Sequence, residues 1–232
     1  MTPHRDAAMP SLHDHEPAPR ALAPLIDHTV LAPEATLAQV SVACEEARRY
    51  GFAAVCVRGN FAPEVRRRLA WSGVKTAVVA DFPRGEATTL ARAAEARAAL
   101  EAGAEELDLV APLPLLRAGR WSEALDDLSA VIEAAGVPVK VILETAALDR
   151  DRITAAAAVA RAAGAAFLKT STGYGPGGAT PEAVALLRRV AGPSLGVKAS
   201  GGVRTTAQAL AMVRAGASRI GSSASVAIVG GG

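Results

Sequence analysis

Three lysines stand where a lysine is difficult to explain as a solvated charge. Lys140, Lys169 and Lys198 interrupt the apolar runs "VKVIL", "AAFLK" and "LGVKAS", and together with Lys75 they are the only lysines among 25 Lys plus Arg. A surface charge is supplied equally well by arginine, which this chain uses everywhere else. Only lysine sheds its proton near neutral pH and becomes an amine nucleophile that attacks carbonyl carbon. An apolar strand also rarely buries a lysine unless something pairs with it or uses it. Forming and breaking an imine requires a carboxylate to move protons, and Asp108 in "ELDLVAP" is the best placed.

The elements that hold these lysines follow from a repeated junction: an alanine-rich helical stretch, a glycine, then an apolar strand. It recurs at Gly51, Gly73, Gly103, Gly136, Gly164, Gly192 and Gly216, at spacings of 22 to 33 residues. Glycine just past a helix end adopts the left-handed cap that other residues resist, so each junction marks a helix stop and a strand start. That spacing is the length of βα units joined by right-handed crossovers. "PLIDHTVLAP" upstream supplies an eighth strand around Ile26 to Thr29. Eight alternating units predict a single-domain TIM (β/α)8 barrel over residues 21–232, after a disordered tail over residues 1 to about 20. The competing doubly wound sheet needs a glycine-rich nucleotide turn after its first strand, which "VCVRGNFAP" does not offer.

In a barrel the chemistry lies at the C-terminal ends of the strands. Read in order, those ends offer Asp27 and Thr29, Cys56, Asp81, Asp108, Glu144 and Thr145, Lys169 with Thr170 and Ser171, Lys198 with Ser200, and Ser222 with Ser223. Lys169 and Lys198 fall at matching depths on adjacent strands, where two like charges about 5 Å apart at an effective dielectric near 20 repel by about 3 kcal/mol, or more than two pKa units. That repulsion, helped by burial, is expected to free one amine; which of the two it frees is open on these grounds, because a coupled pair titrates jointly. "SGGVR" (200–204) follows the seventh strand and "IGSSAS" (220–225) the eighth, and loops there commonly bind phosphate. Glycines let backbone N–H groups approach phosphate oxygens, while Ser222 and Ser223 add hydroxyls near the start of a short helix. The expected substrate is a small phosphorylated sugar with a carbonyl.

Composition excludes other classes. Half of the residues are apolar and only 3% aromatic, so Ala, Val and Leu fill the core. The net charge of +2 comes from interspersed signs, and "RRR" at 66–68 reads as a helix face, so nucleic acid is not an expected partner. No stretch approaches an uncharged span of 18 residues, and the N-terminus lacks the apolar region of a signal peptide. Cys44 and Cys56 form no CxxC site or disulfide framework, which suits a reducing cytoplasm.

Taken together, "LIDHTVLAPEAT", "VCV", "GAEELDLV", "VKVILET", "FLKTSTGYG", "VKASGGVRT" and "RIGSSAS" resemble the deoxyribose-phosphate aldolases, from about Leu25 to Val229. The resemblance implies a metal-free, cofactor-free class I aldolase that reversibly cleaves 2-deoxy-D-ribose 5-phosphate into D-glyceraldehyde 3-phosphate and acetaldehyde. It implies Lys169 as the Schiff-base lysine, Lys198 as the neighbour that depresses its pKa, Asp108 as the proton-relay carboxylate and Lys140 as support. Gly201, Gly202, Ser222 and Ser223 would hold the phosphate, and Asp27, Thr29, Cys56, Thr170 and Gly221 complete the expected binding set. Ala32, Arg58 to Pro63 and Pro112 depart from the usual pattern, and a C-terminal tail that reaches the phosphate pocket in some relatives is not expected after "VAIVGGG". A different phosphosugar aldolase or isomerase, and a non-catalytic phosphosugar-binding barrel, are the rival readings. A homodimer or higher homo-oligomer is left open.

Overall fold

All seven junction glycines have positive φ, from 60° at Gly192 to 109° at Gly216; six lie one or two residues past a helix end, as a stop of this kind requires, whereas Gly73 lies four residues past Leu69, where its helix ends. The computed structural model describes residues 18–230. Its strands are β1 (Ile26–Val30), β2 (Ala54–Val57), β3 (Lys75–Ala80), β4 (Glu106–Val110), β5 (Val139–Ile142), β6 (Phe167–Lys169), β7 (Gly196–Ser200) and β8 (Arg219–Ser222). They pair in parallel, each with its sequence neighbour, and β1 closes onto β8 to complete a TIM barrel. The outer ring comprises α1 (Leu37–Tyr50), α2 (Ala62–Leu69), α3 (Thr89–Glu101), a short α4 (Leu113–Arg117), α5 (Trp121–Ala135), α6 (Arg150–Ala162), α7 (Pro181–Ala191), α8 (Thr206–Arg214) and a short α9 (Ser225–Gly230).

Helix starts follow local chemistry. Thr36 with Gln39 and Thr205 with Gln208 form reciprocal capping boxes on α1 and α8, and Thr88, Asp149 and Thr180 cap α3, α6 and α7. Each cap satisfies otherwise orphaned N–H groups and stabilises by about 1 kcal/mol. Most buried apolar side chains, Val55, Leu107, Leu109 and Val141 among them, pack in one cluster with residues of the helices, whereas the inside of the barrel holds a small separate one of Leu31, Ala54, Cys56, Ala77 and Val79.

Of the expected tail, residues 1–17 lie outside the described residues. Its last positions do not belong to a tail: Pro19 and Arg20 begin a 3-10 turn, Pro19–Leu25, that buries Leu22 and Ala23. Apolar Leu22, three residues after Pro19, anchors the segment.

Candidate active site

Register decides which side chains meet. In a parallel sheet, paired residues face the same side, and side chains alternate along each strand. Lys169 pairs with Lys198, Lys198 with Arg219, and Asp108 with Lys140. Asp27 pairs with Ala54, and Ala77 with Glu106. One inward-facing set therefore carries seven charged side chains from six strands, while β2 and β3 contribute only Ala54, Cys56, Ala77 and Val79 and leave room for them.

Asp108 is the hub. Its Oδ2 accepts from Lys169 Nζ at 2.7 Å and Lys198 Nζ at 2.7 Å, and its Oδ1 accepts from Lys140 Nζ at 2.8 Å. Asp27 accepts from Lys198 at 2.5 Å and from Arg219 at 2.7 Å. Burial alone would raise both carboxyls; Lys140, Lys169 and Lys198 hold Asp108 well below the usual carboxylate range, and Lys198, Lys140 and Arg219 do the same for Asp27. Burial alone would lower every lysine here, and it succeeds at Lys169, where the pull of Asp108 is opposed by Lys198. At Lys198 and Lys140 the carboxylates outweigh burial and the ammonium is favoured. The repulsion expected between Lys169 and Lys198 therefore acts in the expected direction but is not the main cause: burial is larger, and Asp108 stands between the two amines. Of the two, Lys169 is the amine that more readily becomes neutral.

Lys169 also borders a cavity of about 690 Å³ at the C-terminal ends of the strands. Thr29, Thr172, Ser200, Gly201, Gly202, Gly221, Ser222 and Ser223 share its wall, and Leu31, Ala32 and Ala35 give it an apolar side toward α1. Gly221 must be glycine, since a Cβ there would come within 2.9 Å of Ser200 Cβ and 3.0 Å of Lys198 Cε. The expected binding residues Asp27, Cys56 and Thr170 do not line the cavity. Asp27 is spent on ion pairs; Cys56 is fully buried, its thiol 3.9 Å from Asp108 and pushed up to about 11 by burial; Thr170 exchanges hydrogen bonds with the backbone of Ser200. Ser222 is at the wall, but its hydroxyl donates to Val203 O at 2.7 Å.

Over residues 21–229 the sequence matches the profile of the DeoC/LacD family aldolases. The chain belongs to that family. Among solved structures, this aldolase is 42% identical to a candidate deoxyribose-phosphate aldolase from Coccidioides immitis, with a TM-score of 0.90, covering 93% of this chain and 87% of that one. It is 36% identical to a deoxyribose phosphate aldolase from Aeropyrum pernix described as tetrameric, with a TM-score of 0.86 and coverage of 92% and 91%. A third protein, QR15, described as an aldolase, is 32% identical with a TM-score of 0.86, over 90% and 95%.

Several residues of the aldolase's cavity were not singled out from sequence. Arg204, at the end of "SGGVR", lines the wall with Gly202. Tyr174 packs edge-on against Phe82 with ring centroids 5.4 Å apart. Thr172 donates to Glu144 at 2.5 Å. His28 bridges α1 and α9, its Nε2 lying 2.8 Å from Glu46 and its Nδ1 2.9 Å from the Ser225 hydroxyl. Two-residue periodicity places His28 opposite to Asp27 on β1; only α9, too short to be evident in sequence, reveals its partner. Among the described residues, no helix is long and apolar enough to cross a membrane.

Proposed function

We propose that this aldolase cleaves 2-deoxy-D-ribose 5-phosphate, reversibly, into D-glyceraldehyde 3-phosphate and acetaldehyde through an imine on Lys169. The observation that carries the reading is that Lys169 alone among the interior amines both borders the cavity and has a lowered pKa. Its neutral amine adds to the C1 aldehyde of the open-chain sugar, and loss of water gives the protonated imine. The imine nitrogen draws electrons from the C2–C3 bond as the C3 hydroxyl loses its proton, releasing glyceraldehyde 3-phosphate and leaving an enamine. Protonation at C2 and hydrolysis release acetaldehyde and restore the amine. Asp108, in contact with Lys169 and Lys198 together, is the route by which protons pass between Lys198 and the bound intermediate. Lys140 holds the other oxygen of Asp108 and so fixes the carboxylate.

The phosphate is assigned to Gly201, Gly202, Ser222, Ser223 and Arg204, which line the cavity together and are residue types that supply backbone N–H groups, hydroxyls and a positive charge to phosphate. Ser223 offers a free hydroxyl edge, whereas Ser222 serves by shaping the loop. A homo-oligomer is in keeping with the tetramer described for the Aeropyrum pernix relative, and the two free buried cysteines fit a cytoplasmic setting.

Borohydride reduction in the presence of acetaldehyde should add one ethyl group, on the peptide containing Lys169. Labelling at Lys198, or none, would overturn the assignment. A second variant addresses the phosphate. Gly202 is exposed, its φ is +81°, and a Cβ there meets nothing within 4 Å; aspartate tolerates this left-handed backbone better than most residues. Gly202→Asp should therefore spare the fold but repel the phosphate, raising KM for 2-deoxyribose 5-phosphate by about tenfold or more with kcat changed much less. Unaltered KM would move the phosphate elsewhere.

A further inference from the structure

Beneath Lys169 the barrel interior holds four cations, Lys140, Lys169, Lys198 and Arg219, against three carboxylates, Asp27, Glu106 and Asp108. The excess of one positive charge is removed when one lysine is neutral. Contacts single out which one. Lys140 Nζ reaches Glu106 at 2.6 Å, Asp108 at 2.8 Å and Asp27 at 3.5 Å. Lys198 reaches Asp27 and Asp108. Arg219 reaches Asp27 at 2.7 Å and Glu106 at 3.1 Å, and its guanidinium lies 5.2 Å from the ring centroid of Phe167. Lys169 has Asp108 only.

We propose that Arg219 and Glu106 are positioning residues whose charges set the balance of this cluster, so that Lys169 is the amine that gives up its proton. Neither residue lines the cavity, and neither is a catalytic residue. Arg219 occupies one oxygen of Asp27 and shares Glu106 with Lys140, which leaves the second oxygen of Asp27 to Lys198 and keeps the carboxylates committed away from Lys169. The groups that surround Lys169 are Asp27 from β1, the neutral thiol of Cys56 from β2, Glu106 and Asp108 from β4, Lys140 from β5, Lys198 from β7 and Arg219 from β8. β3 brings only Ala77 and Val79 to the interior, and Glu144 beyond β5 is hydrogen-bonded to Thr172.

This inference rests on Lys169 as the imine-forming amine, and its test separates the two. The pH midpoint of reductive trapping with acetaldehyde and cyanoborohydride is compared among variants, with kcat and KM measured alongside. Arg219→Gln removes a cation and should move the midpoint to higher pH, by about one unit for a charge within roughly 10 Å at a dielectric near 20. Glu106→Gln removes an anion and should move it by a similar amount to lower pH. The double variant, with the balance restored, should return close to wild type, and Arg219→Lys, which keeps the charge, should stay there. KM should change little in all four. General structural damage cannot produce opposite shifts that cancel, and if Arg219→Gln does not fold, Glu106→Gln and the double variant retain the test. Shifts of the same sign, or midpoints that do not move while wild type labels at Lys169, overturn this inference alone. Absence of a wild-type adduct overturns the Lys169 assignment and this inference with it.

Discussion

Lys169→Arg should abolish aldol cleavage while leaving the protein folded. Asp108, which Lys169 Nζ meets at 2.7 Å, keeps a hydrogen-bond donor when arginine stands there. Lys169 lies at the cavity wall, which gives the larger guanidinium somewhere to go. A guanidinium is not deprotonated in proteins, so no nucleophile remains. Loss of a covalent catalyst of this kind lowers kcat by about 10³-fold or more, and raising the pH should restore nothing. Borohydride with acetaldehyde should leave the "FLKTSTGYG" peptide unmodified. Substantial residual activity with a normal pH profile would exclude the imine at this position.

Lys198→Leu should behave differently on both axes. The variant leaves Asp27 and Asp108 without the buried ammonium that lies 2.5 Å and 2.7 Å from them, and removing one partner of a buried pair destabilises by about 3–5 kcal/mol. The melting temperature should fall markedly, in contrast to Lys169→Arg. The nucleophile survives, but its environment changes in a direction that can be worked out. Lys198 lowers the pKa of Lys169, and with it gone the Asp108 carboxylate, which raises that pKa, acts with one competitor fewer. The amine therefore keeps its proton to higher pH. Burial, the largest cause of the lowered pKa, is still present, so the shift should be about one to two units, smaller than full repulsion between bare charges would give. Activity at neutral pH should fall by about ten- to a hundredfold and recover as pH increases, because each unit is a tenfold change in neutral amine. A trapping profile that coincides with wild type would remove Lys198 from this role.

The barrel was legible because its punctuation is local. A glycine after an alanine-rich helix needs no tertiary information to be read as a stop, and all seven such positions do adopt positive φ. The pairing of Lys169 with Lys198 was legible for the same reason, since they lie five and six residues past their junction glycines, Gly164 and Gly192. The floor of the site was not. Glu106 precedes Asp108 by two residues in "ELDLV", so alternation alone places both inside, yet a glutamate near a strand start reads as solvated until β8 supplies Arg219 across the barrel. Asp27, Cys56 and Thr170 show the opposite case. A polar residue at a strand end was read as facing substrate, but each is taken up by a partner that only the closed barrel brings near: Lys198 and Arg219 for Asp27, Asp108 for Cys56 and the Ser200 backbone for Thr170.

The closing of β1 onto β8 also bears on the order of folding. Asp27 and Arg219 are 192 positions apart in the chain, and Asp27 and Lys198 are 171 apart. Contacts of such sequence separation are the slowest to form, because the loop entropy is spent before any attraction is gained. Until the two ends of the chain meet, the lysines of β5, β6 and β7 have Asp108 and Glu106 but lack Asp27 and Arg219, and water still reaches them. The lowered pKa of Lys169 is therefore a property of the finished barrel. A nascent chain paused before β8 emerges would carry every lysine of the site and still hold only an ordinary, protonated amine.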